Sequence, residues 1–116
     1  MSIKEDLENI ELSIDQAKRD IERKNALNRL QDNPDFRELI AKGFLESHAV
    51  RQVLLKAHPG MQGEAQQNLL DQQIVSIGGF KQYLISIYSA GETAEETLTA
   101  DETTREELLK EDLRNE

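Results

Sequence analysis

A chain of 116 residues with 14 Lys plus Arg against 23 Asp plus Glu has a formal net charge of −9 and the size of one small domain. Hydrophobic residues make up 37% and aromatics 4%, so its core must be thin, and the absence of cysteine excludes a disulfide framework and thiolate zinc sites. Two prolines and six glycines are too few for an all-β domain built on tight turns. No run approaches the ~18 apolar residues of a membrane span, and Met1-Ser2-Ile3-Lys4-Glu5-Asp6 lacks the apolar stretch of a secretory signal. The sequence therefore predicts an acidic, all-α protein without a membrane segment or signal peptide.

The acidity is local. Residues 91–116 hold three basic and ten acidic groups, and the rest of the chain is nearly neutral. A near-neutral body offers no broad positive field to a phosphate backbone, which argues against nucleic-acid binding. The acidic end reads as a solvated segment, with contact to a basic partner surface as the alternative.

The first predicted element is a long helix over 1–31. Ile3, Leu7, Ile10, Ile14, Ala17 and Ile21 follow one another at spacings of four and three, which keeps them on one face as a heptad seam. The strict repeat ends where Lys24 and Asn28 take the next two seam positions. Ala26, Leu27 and Leu30 then supply the apolar face. So narrow a seam cannot stand alone in water; it needs another helix, from the same chain or from a second copy. These six residues are the candidate packing and oligomerisation site.

Gln31-Asp32-Asn33-Pro34-Asp35 is the strongest break. Asn33 suits an N-cap, Pro34 the first helical position, and Asp35 the positive end of the helix dipole. A second helix is expected over about 34–57, with Phe36, Leu39, Ile40, Phe44, Val50, Val53, Leu54 and Ala57 as its apolar face. Gly43 is a weak point inside it. His58-Pro59-Gly60 ends that helix. A third follows over about 62–90, carrying Ala65, Leu69, Leu70, Ile74, Ile77, Phe80, Leu84, Ile87 and Tyr88. Gly78-Gly79 inside it predicts a close crossing or a bend. Ala90-Gly91 is expected to close it, which leaves 92–116 as an acidic tail. There, Thr103 with Glu106 and Thr104 with Glu107 have capping-box spacing, so a marginal helix over 104–114 is expected, or disorder. The predicted organisation is thus an N-terminal heptad helix, 1–31; a helical core, 32–91; and a tail, 92–116.

The chemistry of catalysis is not legible in this chain. Nucleophilic catalysis needs a nucleophile, a base and an orienting group, and neither a cysteine nor a Gly-x-Ser-x-Gly turn is present. Ser47 and His48 are neighbours, but adjacent helical residues point about 100° apart. His48 and His58, ten residues apart, fit no common metal spacing; they read as a boundary side chain and a helix-end residue bonding free carbonyls. No phosphate loop or dinucleotide fingerprint occurs. Lys18, Arg19, Arg23 and Lys24 form a basic cluster, but Asp15, Asp20 and Glu22 are interleaved with it, and i,i+4 pairs such as Asp15–Arg19 and Asp20–Lys24 are expected. The aromatics lack a basic stripe, so no base-stacking platform is indicated. The expectation is a non-enzyme with no cofactor and no metal.

The block Ala26-Leu27-Asn28-Arg29-Leu30, Asn33-Pro34-Asp35-Phe36, Leu39-Ile40, Gly43-Phe44 and Ala49-Val50-Arg51 resembles a group of small uncharacterised proteins of tailed bacteriophages. The likeness extends through His58-Pro59-Gly60-Met61, Ile77-Gly78-Gly79-Phe80 and Tyr83-Leu84 to Gly91-Glu92-Thr93-Ala94, covering roughly residues 15–98. The resemblance supplies no catalytic residues. It implies a phage setting, a place in virion structure or assembly, location in the virion or the host cytoplasm, and partners that are copies of the chain or other phage structural proteins.

Pattern and resemblance together predict a helical structural or assembly protein that acts through self-association. The alternatives are a small acidic regulator that binds a basic site on a host or phage protein through 92–116, and a transient scaffolding or chaperone protein.

Overall fold

The computed structural model describes residues 2–115, and every regular element in them is helical. Helix α1 is Ile3–Gln31. Helix α2 covers 34–55 in three parts: an α-helical turn Pro34–Phe36, a π-helical stretch Arg37–His48 and an α-helical end Ala49–Leu55. A 3₁₀ turn, Pro59–Met61, leads to α3, Glu64–Arg114. The all-α class is as the sequence predicts.

Local chemistry places the breaks. The Ser2 hydroxyl accepts from the Glu5 N–H at 3.1 Å, and Glu5 and Asp6 sit in the first turn of α1, where the dipole favours acids. Asn33 caps α2: its Oδ1 accepts from the N–H groups of Asp35 and Phe36 at 2.9 and 3.1 Å, with Pro34 following. His58 differs from expectation. Its Nδ1 accepts from the Gly60 N–H at 3.0 Å, so it caps the turn that follows rather than bonding the carbonyls of the helix before it. Those carbonyls are served by glutamines: Gln62 and Gln67 both donate to the Lys56 carbonyl.

The chain forms two compact units. The first takes the chain up to Ala26 and again from Ile87 onward. In it α1 and α3 run antiparallel, since Glu11 meets Arg105, Ser13 meets Asp101 and Lys24 meets Glu95. Ile14, Ala17 and Ala94 are its buried apolar centre.

The second unit is Leu27–Ser86. Its buried residues are Leu27, Gln52, Leu70 and Ile77. Phe44 meets Phe80 edge-on at 6.0 Å and stacks on His48 at 5.9 Å, and Lys56 pairs with Asp71, so α2 and α3 are antiparallel here too. The inward line of α2 steps by four: Ile40, Phe44 and His48, all half-buried, then the buried Gln52. The π-helical winding, with its i→i+5 bonds, accounts for this line. It turns part of the expected apolar face outward, and Leu39, Val50, Val53 and Leu54 are 53–69% exposed. Gly43 belongs to the same winding. A Cβ there would stand 2.9 Å from the Glu38 carbonyl oxygen, five residues back.

Two boundaries differ from the sequence reading. Helix α3 does not close at Ala90-Gly91 but continues to Arg114, so the acidic segment is ordered helix. Thr103 and Thr104 cap nothing; their hydroxyls donate back to the carbonyls of Thr99 and Ala100 at 3.1 and 3.0 Å. Nor does any element cross at Gly78-Gly79: a Cβ at either position would have no neighbour within 4 Å. Their only effect on the free chain is the backbone entropy that glycine adds to a helix. Replacing Gly78 and Gly79 by alanine should therefore stabilise the protein by about 1 kcal/mol each in urea unfolding; an unchanged or lowered midpoint would show that something approaches this face.

Candidate functional site

The six residues singled out in the sequence lie on one face of α1, against α3 of the same chain. Ile14 and Ala17 are buried; Ile3, Leu7, Ile10 and Ile21 are half-buried. The opposing face of α3 is also a heptad line: Ile87, Gly91, Ala94, Leu98, Asp101, Arg105 and Leu108 follow one another at spacings of four and three, and all are buried or half-buried. Hydropathy does not mark this line, because glycine, alanine and two charged residues hold four of its seven positions. Its signal was the spacing alone. Leu109 and Leu113, in the last turns of α3, lie off this line and are exposed.

The small residues of that line let the two helices come close. Lys24, the next position of the α1 seam, lies across Gly91. A Cβ on Gly91 would fall 2.3 Å from the Lys24 Cβ and 2.8 Å from its Cδ. The Lys24 stem is thereby buried, and its Nζ emerges to donate to Glu95 Oε1 at 3.0 Å. Glu92 Oε1 lies at 3.9 Å and the Tyr88 ring centroid at 4.9 Å, within cation–π range. The seam therefore does not stop at Lys24, because a lysine can cover apolar surface with its methylenes and keep its charge at the rim. The expected Asp20–Lys24 pair is replaced by this cross-helix cluster. Arg19 donates to Gln16 at 2.9 Å, and Gln16 donates to Asp20 at 3.0 Å.

Further along, the Ser13 hydroxyl donates to Asp101, and Arg105 reaches Glu11 at 3.2 Å. Asp101 and Arg105 are seam positions, so these contacts fix which turn of α3 faces which turn of α1. Each exposed ion pair is worth only about 0.2–1 kcal/mol. Their contribution is to register, with burial of Ile14 and its neighbours supplying most of the attraction, at about 1.5–3 kcal/mol for a fully buried aliphatic side chain.

The hydrogen bond to Glu95 holds the Lys24 ammonium above its ordinary pKa, outweighing the burial that lowers it. Tyr88 is raised as well, chiefly by its hydrogen bond to Glu92. Both shifts favour the protonated form in the folded state. Their stabilisation is complete below the unfolded pKa values, near 10, and is lost as pH rises through the folded ones.

In the second unit the notable feature is apolar surface left uncovered. Leu30, Leu39, Val50, Val53, Leu54, Leu69, Val75, Phe80, Tyr83 and Ile85 are all more than a third exposed, while Leu27, Leu70 and Ile77 are the buried hydrophobic residues. Phe80, expected on the apolar face of its helix, is among the exposed. Gln52 is buried and has its amide 3.4 Å from His48 Nε2.

Among the described residues no group of three or more His, Asp or Glu side chains is placed to hold a metal ion, and no helix is long and apolar enough to cross a membrane. Comparison of the chain with family models, curated proteins and solved structures finds no match.

Two outcomes test the seam. Gly91→Ala should destabilise the protein by about 1–3 kcal/mol, through overpacking. The loss should persist in a Lys24→Ala background, because the clash is with the Cβ that alanine keeps; full relief would place the contact on the flexible stem instead. In thermal melts, stability should fall as pH rises above about 10, and fall less in Lys24→Met. Equal falls would mean that the Lys24 cluster is not linked to folding.

Proposed function

We propose that the chain is a non-enzymatic helical structural or assembly protein that works by helix packing and self-association. The observation that carries this reading is the balance of apolar surface. Among the described residues six hydrophobic side chains are buried, whereas fourteen large ones are more than a third exposed, ten of them in Leu27–Ser86. Scattered exposed leucines are ordinary on a soluble protein. So many on a unit with so small a core are the mark of surface meant to be covered by another chain.

The setting proposed is the assembly of a tailed phage, with the virion or the host cytoplasm as its location and copies of itself or other phage structural proteins as its partners. That part comes from the resemblance of residues 15–98 alone. A transient scaffolding or chaperone role is a variant of the same reading; finding the protein in purified mature particles would count against it. The acidic-regulator alternative draws on Glu96, Glu102, Glu106 and Glu107, which point outward from α3. It is the weaker reading because the acidic segment is already engaged along α1 rather than free to wrap a basic partner.

Sedimentation equilibrium over a hundredfold concentration range should show a species heavier than the 13.2 kDa chain. A monomer throughout would remove self-association.

A further inference from the structure

Wound throughout as an α-helix, α2 puts Phe36, Leu39, Ile40, Phe44, Val50 and Leu54 within one arc of about 140°, and Gln52 lies about 150° from its middle. Arg51 shares that arc, where its stem covers apolar surface while its charge stays at the rim. The structure holds a different winding. Four residues of α-helix overshoot a full turn by about 40°, yet Ile40, Phe44, His48 and Gln52 all line the inward side, so by Gln52 the chain trails an α-helix by about 120°. The cause is the π-helical stretch Arg37–His48, twelve residues long, where such winding usually lasts one turn. The exchange runs against hydropathy. Gln52 is 6% exposed, whereas Leu39 and Leu54 are 69% and 68% exposed.

We infer that α2 is a two-state element: the winding seen here exposes an apolar stripe, and a second, fully α-helical winding turns that stripe onto α3 of the same chain. The inference concerns the single chain and stands whether or not the chain self-associates. Gly43 is what admits the first state. A Cβ there would stand 2.9 Å from the Glu38 carbonyl oxygen, a backbone atom that cannot swing aside. An α-helix, by contrast, takes alanine at any interior position and prefers it to glycine. Rewinding gives up the Lys56–Asp71 pair and the bonds from Gln62 and Gln67 to the Lys56 carbonyl. It gains burial of Val50 and Leu54 and returns the Gln52 amide to water. Polar contacts at one helix end are thus set against apolar burial along its length. A partner that covers the exposed stripe holds the first winding, and its release favours the second.

Gly43→Ala tests this in the full-length chain, read by thiol labelling of dilute protein. The chain has no cysteine, so Leu54→Cys and Gln52→Cys each report one side of α2. With Gly43 in place, the Leu54→Cys protein should label fast and the Gln52→Cys protein slowly. Adding Gly43→Ala should slow the first and speed the second, each about tenfold. Adding Gly78→Ala instead, the same exchange where a Cβ meets nothing, should produce neither change. Rates unmoved by Gly43→Ala, or raised at both sites as in local unfolding, would overturn the second winding. Slowing at position 54 without a rise at position 52 would mean cover by another chain rather than rewinding, and would overturn it as well.

Discussion

A stripe of isoleucines one residue wide has to be covered, and in the first unit the cover is the end of the same chain. The edge of α1 from Ile3 to Ile21 is too narrow to make a core alone. It becomes stable because α3 presents small side chains opposite its centre: Gly91 beneath Lys24, and Ala94 within the same buried face as Ile14 and Ala17. Close approach of two backbones replaces bulk as the source of dispersion and burial. The polar contacts are arranged around that approach. Lys24 with Glu95, Ser13 with Asp101 and Glu11 with Arg105 add little attraction in water, but a slip of α3 by one turn breaks all three.

The second unit follows a different economy. Its α2 has a π-helical stretch, which directs Ile40, Phe44, His48 and Gln52 inward and leaves a second apolar stripe facing solvent. A helix with two apolar stripes in a bundle with too few helices to cover both is an unfinished object in isolation. The proposed role of the protein follows from this, because surface of this kind, in this winding, gains free energy only when another chain is laid on it.

Much of this was legible in the residues. The α1 seam, the Asn33-Pro34 boundary and the all-α class all follow from spacing and capping chemistry, which are local. What escaped was decided by contacts distant in sequence. Gly91 reads as a helix stop when only its neighbours are considered, yet it is where the Lys24 side chain lies across the backbone of α3. The segment after it reads as a solvated tail because three of its five seam positions, Ala94, Asp101 and Arg105, are not large apolar residues. The inward line of α2 could not be read from a 3.6-residue period, since π-helical winding shifts the phase and exchanges Val50 and Leu54 for His48 and Gln52. Lys24 looked like the end of the apolar face because its charge, not its stem, dominates any hydropathy reading.

The claim on which the account turns is that α3 of the same chain covers α1. With no native cysteine to interfere, Ser13→Cys with Asp101→Cys joins the two helices at one known contact. Mild oxidation of the dilute protein should give a chain cross-linked within itself, running as a single-chain species on a non-reducing gel. A ladder of chains joined to one another, or no bond at all, would contradict it.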